Sequence, residues 1–235
     1  MTTFSPLSTV MLTHNKVTLA LHHLRAGSGR PLLVLHGLGE DASRIILGDI
    51  EWAGPVWGLD FTGHGASSIP VGGGYSCEIL MADVDVALAH LLASDSTRSH
   101  SGKATVLGYG LGAYVALLIA GARPNLVHGA VLADGPGIAG GAVHVSAHAE
   151  ITSAGRREQL GVTPDPWALI ELARDARPES YTTTFIRLAT ATSSLDEPIA
   201  MCCRVRPPWV SAAQDAPGVM NNITVNEALA IYAVE

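Results

Sequence analysis

The stretch Ala104-Thr105-Val106-Leu107-Gly108-Tyr109-Gly110-Leu111-Gly112-Ala113-Tyr114-Val115 decides how this chain reads. Its first four residues are a short apolar run, the pattern of a strand buried on both faces. Gly108, Gly110 and Gly112 then punctuate a sharp turn. From Leu111 to Ala122 nearly every residue is apolar, so a buried helix follows. It ends before Arg123-Pro124, because proline disfavours continued helix. A strand that turns at once into a buried helix is half of a strand–helix–strand unit.

Further strand-like runs lie on both sides of it. They are Pro31–Leu35, Pro55–Leu59, Gly129–Ala133 and Pro198–Cys202. Lys16–His22 alternates like a half-exposed strand, with Thr13-His14-Asn15 as the turn of an opening hairpin. Leu80, Val84, Leu88 and Leu91 recur at helical spacing, with Ser76 as cap and Glu78 in the first turn. Strands that alternate with helices predict an α/β fold, a mostly parallel central sheet flanked by helices. The reading is one domain over residues 1–235, with a small helical cap inserted at about 136–197. Gly135-Pro136-Gly137 and Gly140-Gly141 open that insertion as a flexible segment. Asp165-Pro166 starts one helix in it, and a second follows Pro178.

Composition narrows the function. Of 235 residues, 48% are hydrophobic and 15% charged, which supports a core and excludes a disordered chain. The net charge is −7 with no basic cluster, so nucleic acid is not an expected partner. No apolar run reaches the ~18 residues of a membrane span. The N-terminus shows no secretory pattern, and three cysteines, two of them adjacent, do not make a disulfide framework. A cytoplasmic location is expected. No cofactor is expected, and a homo-oligomer stays open.

Three segments carry a resemblance. His36-Gly37-Leu38-Gly39 follows one buried strand, and Asp60-Phe61-Thr62-Gly63-His64-Gly65-Ala66-Ser67 follows the next. Gly108-Tyr109-Gly110-Leu111-Gly112 follows a third. In this order they resemble the α/β-hydrolase superfamily over about residues 17–205, with its HG-x-G loop, its D-x-x-G-H-G-x-S turn and its strand–elbow–helix. The resemblance implies an oxyanion hole made by the amides of Leu38 and Leu111. It also implies a pocket at His36, Gly37, Tyr109 and Gly110.

The chain departs from the family where the chemistry should be. The family elbow is G-x-S-x-G, and here its centre is Gly110, which has no side chain to form a covalent intermediate. The family's catalytic histidine lies near the C-terminus. All ten histidines of this chain lie at or before His148. Asp134, ending its strand, is a remnant of the catalytic acid by the same resemblance. Ordinary Ser-His-Asp activity is therefore expected to be absent.

The first expectation is a catalytically silent relative that binds a small carbonyl or carboxylate ligand, or a partner. One alternative is a non-covalent hydrolase or lyase using the oxyanion hole with His36 or Asp134 as base. Another is a dinucleotide binder through Gly108-x-Gly110-x-x-Ala113, with Asp134 on the ribose. His64 and Asp60 read as structural. His144, His148 and Glu150 have the spacing of a metal site but are read as surface residues. Cys203 has no legible activating group and is not read as a nucleophile.

Overall fold

The structure is a computed structural model that describes residues 5–93, 102–141 and 163–234. Strands β1 (Ser8–His14) and β2 (Val17–Arg25) form the opening hairpin, with Asn15 at φ 54° in its turn. The chain continues through β3 (Leu32–Leu35), β4 (Val56–Leu59), β5 (Ala104–Tyr109), β6 (Val127–Ala133), β7 (Ile199–Met201) and β8 (Val219–Met220). The strands lie in the order β1-β2-β4-β3-β5-β6-β7-β8. β1–β2 and β2–β4 are antiparallel, and every pairing from β4 through β8 is parallel. The chain moves outward from β3 to β4 and then crosses back to β5 on the other side of β3. The carboxyl ends of β3 and β5 thus meet at a topological switch point, where open parallel sheets hold their ligands.

Among the described residues six helices flank the sheet: α1 (Cys77–Ala93), α2 (Leu111–Ala122), α3 (Pro166–Arg174), α4 (Glu179–Thr192), α5 (Pro208–Gln214) and α6 (Val225–Ala233). Alternation along β3 shows how the two faces are covered. Leu33 and Leu35 join the core cluster that contains α1, α2, α4 and α5. Leu32 and Val34 join the cluster built on α6 and Ile50–Trp52. Side chains of successive strand residues point to opposite faces, so a strand buried on both must be apolar throughout.

The segment between β6 and β7 divides its work. Helix α4 joins the layer beside α2, close enough that a methyl at Gly121 would crowd the Phe185 backbone. Helix α3 and the residues before it brace the turns at 63–77. The Asp165 amide donates to the Gly63 carbonyl at 2.8 Å, and the Tyr75 hydroxyl donates to the Asp165 carboxylate at 2.6 Å. Glu171 accepts the amides of Gly74 and Tyr75 at 2.9 and 2.6 Å. No helix among the described residues is long and apolar enough to cross a membrane.

The last strand and helix are poorly legible in the sequence yet present. β8 has only two residues, too few for a periodic pattern. Helix α6 starts at a capping box in which Thr224 and Glu227 satisfy each other's backbone amides. It docks through Ala228, Leu229 and Tyr232, all fully buried. Replacing Thr224 with Ala should cost about 1 kcal/mol, read as a lower urea midpoint with an unchanged slope.

Candidate functional site

The site is built from the end of β5. Gly110 stands between β5 and α2 at φ 57°, ψ −113°, a backbone state that L side chains rarely adopt. Gly108 and Gly112 let strand and helix close up: a methyl at Gly112 would lie 2.6 Å from the Leu35 carbonyl oxygen. This packing holds the N-terminus of α2 at the carboxyl edge of the sheet, with its first amides unpaired within the helix.

Two amides converge there on one acceptor. Leu111 N–H donates to the Pro136 carbonyl at 2.9 Å, and Leu38 N–H donates to the same oxygen at 3.0 Å. These distances are those of donors to an oxyanion, about 2.7–3.1 Å. The carbonyl belongs to a strap, residues 135–141, that follows β6. A Cβ at Gly110 would collide with the Pro136 oxygen and with the Gly135 carbonyl. The strap therefore fills both the two-amide cup and the space into which any side chain at 110 would project.

Both ends of the strap are fastened. Asp134 accepts the amides of Arg204 and Val205 at 2.8 and 3.1 Å. The Ile138 carbonyl accepts from Arg177 and from the Trp209 indole, the latter at 2.7 Å. The Gly141 amide donates to the Asp175 carbonyl at 2.6 Å.

The two motif histidines are fully engaged. His36 Nδ1 lies 2.8 Å from the Gly37 carbonyl, and Nε2 accepts the Phe61 amide at 3.1 Å. The proton accordingly sits on Nδ1. Burial, helped by the neighbouring His64, brings the His36 pKa down to about 4. His64 repeats the pattern, with Nδ1 toward the Thr62 carbonyl and Nε2 accepting the Gly39 amide at 3.3 Å. Burial lowers its pKa as well. Neither ring offers a free nitrogen to a substrate proton.

Carboxylates brace the same turns. Burial alone would raise the Asp60 pKa, but bonds from His22 and from the amides of Ala42 and Ala66 outweigh it and hold the carboxyl below its usual range. Asp83 on α1 accepts both the amide and the hydroxyl of Thr62 at 2.9 Å, and burial pushes its pKa up to about 7. Cys203 donates its thiol to the Leu132 carbonyl at 3.3 Å, and burial raises its pKa to about 12. It holds no thiolate near neutral pH.

Beside the strap lies a cleft of about 210 Å³ at the carboxyl ends of the strands. His36, Glu40, Arg44, Tyr109, Asp134 and Pro136 line it. Burial raises the Tyr109 pKa, with the negative charge of Asp49 adding to the effect. A larger groove, about 810 Å³, runs between α4 and α5 and shares no lining residue with the elbow. His144, His148 and Glu150 lie outside the described residues. Among the described residues no group of His, Cys, Asp and Glu could hold a metal ion.

The structure thus brings together His36, Gly37, Leu38, Tyr109, Gly110, Leu111 and Asp134 at one edge of the sheet. Pro136 is the residue of this candidate site that the sequence reading did not single out. It acts through its backbone oxygen, which no side-chain pattern reveals. The signal available was Gly135-Pro136-Gly137, a turn signature next to the elbow's neighbouring strand.

Comparison with known proteins shows the family and the fold. A model of the alpha/beta hydrolase family matches residues 32–232, and the chain belongs to that family. No curated protein matches the chain. Among solved structures it is similar to a thermophilic esterase from Thermogutta terrifontis determined with malate bound. The identity is 19%, over 96% of this chain and 93% of that one, with a TM-score of 0.61. It is also similar to a hydrolase from Pseudomonas aeruginosa, at 17% identity over 94% and 91% of the chains, TM-score 0.60. A deformylase from Pseudomonas putida is similar at 16% identity over 91% of each chain, TM-score 0.57. At these identities the likeness shows the fold.

The buried histidines make stability depend on pH. The folded His36 binds its proton more weakly than the unfolded residue, whose pKa is 6.5. Its contribution is present above pH 6.5 and is lost as pH falls toward 4. Urea titrations at several pH values should show this loss, and His36→Gln should flatten it by on the order of 2–3 kcal/mol across that window.

Proposed function

We propose that this chain is a catalytically silent member of the alpha/beta hydrolase family. It binds a small carboxylate or carbonyl compound at the switch-point cleft instead of turning over an ester. One observation carries the reading: the Pro136 carbonyl sits on the amides of Leu38 and Leu111 where the oxyanion of an acyl transfer would have to form. Three others support it. Position 110 holds no nucleophile. The nitrogens of His36 and His64 are committed to the backbone. The turn from β8 to α6 holds Asn221, Asn222, Ile223 and Thr224, with no imidazole among them.

A second reading keeps some chemistry. Asp134 lines the cleft, and two amides leave part of its lone-pair capacity free. A water activated there would give a weak non-covalent hydrolase. His36 is the poorer base, because both of its nitrogens are taken. The dinucleotide reading needs the space over the α2 N-terminus that Pro136 fills, and it needs an Asp134 not bound to Arg204 and Val205.

Activity-based labelling tests the main reading. A fluorophosphonate should leave the chain unmodified by mass spectrometry, and a covalent adduct near residue 110 would overturn silence. Any trace hydrolysis of a p-nitrophenyl ester should survive Asp134→Asn. Its disappearance in a folded variant would favour the second reading. Gly110→Ser should restore no esterase activity and should cost about 2–4 kcal/mol, since the new side chain meets both an unfavourable φ and the strap.

A further inference from the structure

We propose that two copies of this chain pair through α4. Each copy lays its α4, antiparallel to the other, into the groove that its partner forms between α4 and α5. The groove shares no lining residue with the elbow or with the switch-point cleft, so this pairing does not rest on the ligand reading.

The groove is an open trough of about 810 Å³. Ile186 and Ala191 of α4 face Ala212, Ala216 and Pro217 across it, so its floor is apolar. A Cβ at Gly218 would lie 2.2 Å from Thr190 Oγ1, so the chain after α5 closes against the C-terminal half of α4. Apolar troughs between two helices receive the side of a third helix. Charge decides which helix fits this one.

Glu179, Thr183 and Arg187 follow one another at spacings of four, so they run along one stripe of α4. All three are exposed and all three line the groove. Neither charged group has an ion pair among the described residues. Read in reverse, the stripe is its own complement. A two-fold axis through Thr183 sets Glu179 of each copy opposite Arg187 of the other, four residues to either side. A parallel alignment would instead set Glu179 on Glu179 and Arg187 on Arg187. At the axis Thr183 meets Thr183, and side chains of that size let helix axes approach to about 8–9 Å. Asp215, three residues before Gly218, lines the groove at the Arg187 end. The guanidinium there stands between a carboxylate of its own chain and one of the other copy. Its methylene stem lies along the apolar floor while its head stays with the carboxylates. The contact is the same patch on both copies and closes on itself, as the commonest homo-oligomers do.

Sedimentation equilibrium on the whole chain is the test. The wild type should pass from the mass of one chain to twice that mass, with a dissociation constant on the order of micromolar. Glu179→Arg and Arg187→Glu should each weaken pairing about tenfold or more, because each sets like charges opposite one another at two symmetric places. The double variant Glu179→Arg/Arg187→Glu exchanges the charges and should return to within about threefold of the wild type. These positions are exposed, so the urea midpoints should match that of the wild type. Mild oxidation gives a second readout. Thr183→Cys should yield a disulfide-linked dimer, since the two copies of residue 183 meet at the axis. The wild type should not, nor should Tyr181→Cys, which lies on the other side of α4. A chain that stays monomeric to about 1 mM would overturn the proposal. So would a dimer indifferent to the single charge reversals, a double variant no better than the singles, or equal crosslinking at positions 181 and 183.

Discussion

The Pro136 carbonyl held by Leu38 N–H and Leu111 N–H is the constraint around which this end of the molecule is arranged. A helix start pressed against a sheet leaves amides with no intrahelical partner. Left buried and unpaired, each would cost about 1–3 kcal/mol. An acyl-transfer enzyme has reason to keep such amides available for charge that develops in the transition state. Here the chain supplies an acceptor from within itself. The cup persists as a structural joint between the loop after β3, the start of α2 and the strap after β6.

That view gives the polar residues of these motifs a structural role that does not depend on turnover. His36 accepts the Phe61 amide, and His64 accepts the Gly39 amide. The loop after β3 and the turn after β4 therefore hold each other. Asp60 gathers His22, Ala42 and Ala66, while Ser67 bridges the Asp60 carbonyl and the Ala20 amide. Asp83 fixes Thr62 from the helix behind. Each polar side chain is consumed by backbone groups of irregular segments that would otherwise be buried without partners. These residues build the edge of the sheet, and the edge stands with or without turnover.

What the sequence makes visible follows from how each feature is encoded. The central strands and α2 are legible because burial on both sides demands long apolar runs, and Leu111–Ala122 is helical to the residue. The elbow is legible because close packing admits only glycine at 108 and 112. The second helix of the 136–197 segment is less clear. Thr182-Thr183-Thr184 weakens its pattern, and its place in the layer beside α2 rests on contacts such as Phe185 against Gly121. β8 escapes notice because two residues carry no period. The strap escapes for a different reason. Its contribution is a main-chain oxygen placed by long-range contacts to Arg177, Trp209 and Asp175, and every residue has such an oxygen.

Glycine at 110 and the seated strap depend on one another. The elbow conformation at φ 57° aims a Cβ at the Pro136 oxygen and the Gly135 carbonyl, so a nucleophile and this strap cannot share the space. With a serine there, the strap would have to stand away, and the amides of Leu38 and Leu111 would turn to solvent or substrate. Without it, the strap can close, and closure satisfies both amides at once. The missing side chain is thus more than a missing reactive group, because it permits a different packing of the site. A serine at 110 would need the strap to move, and the C-terminal third of the chain holds no histidine to accept its proton.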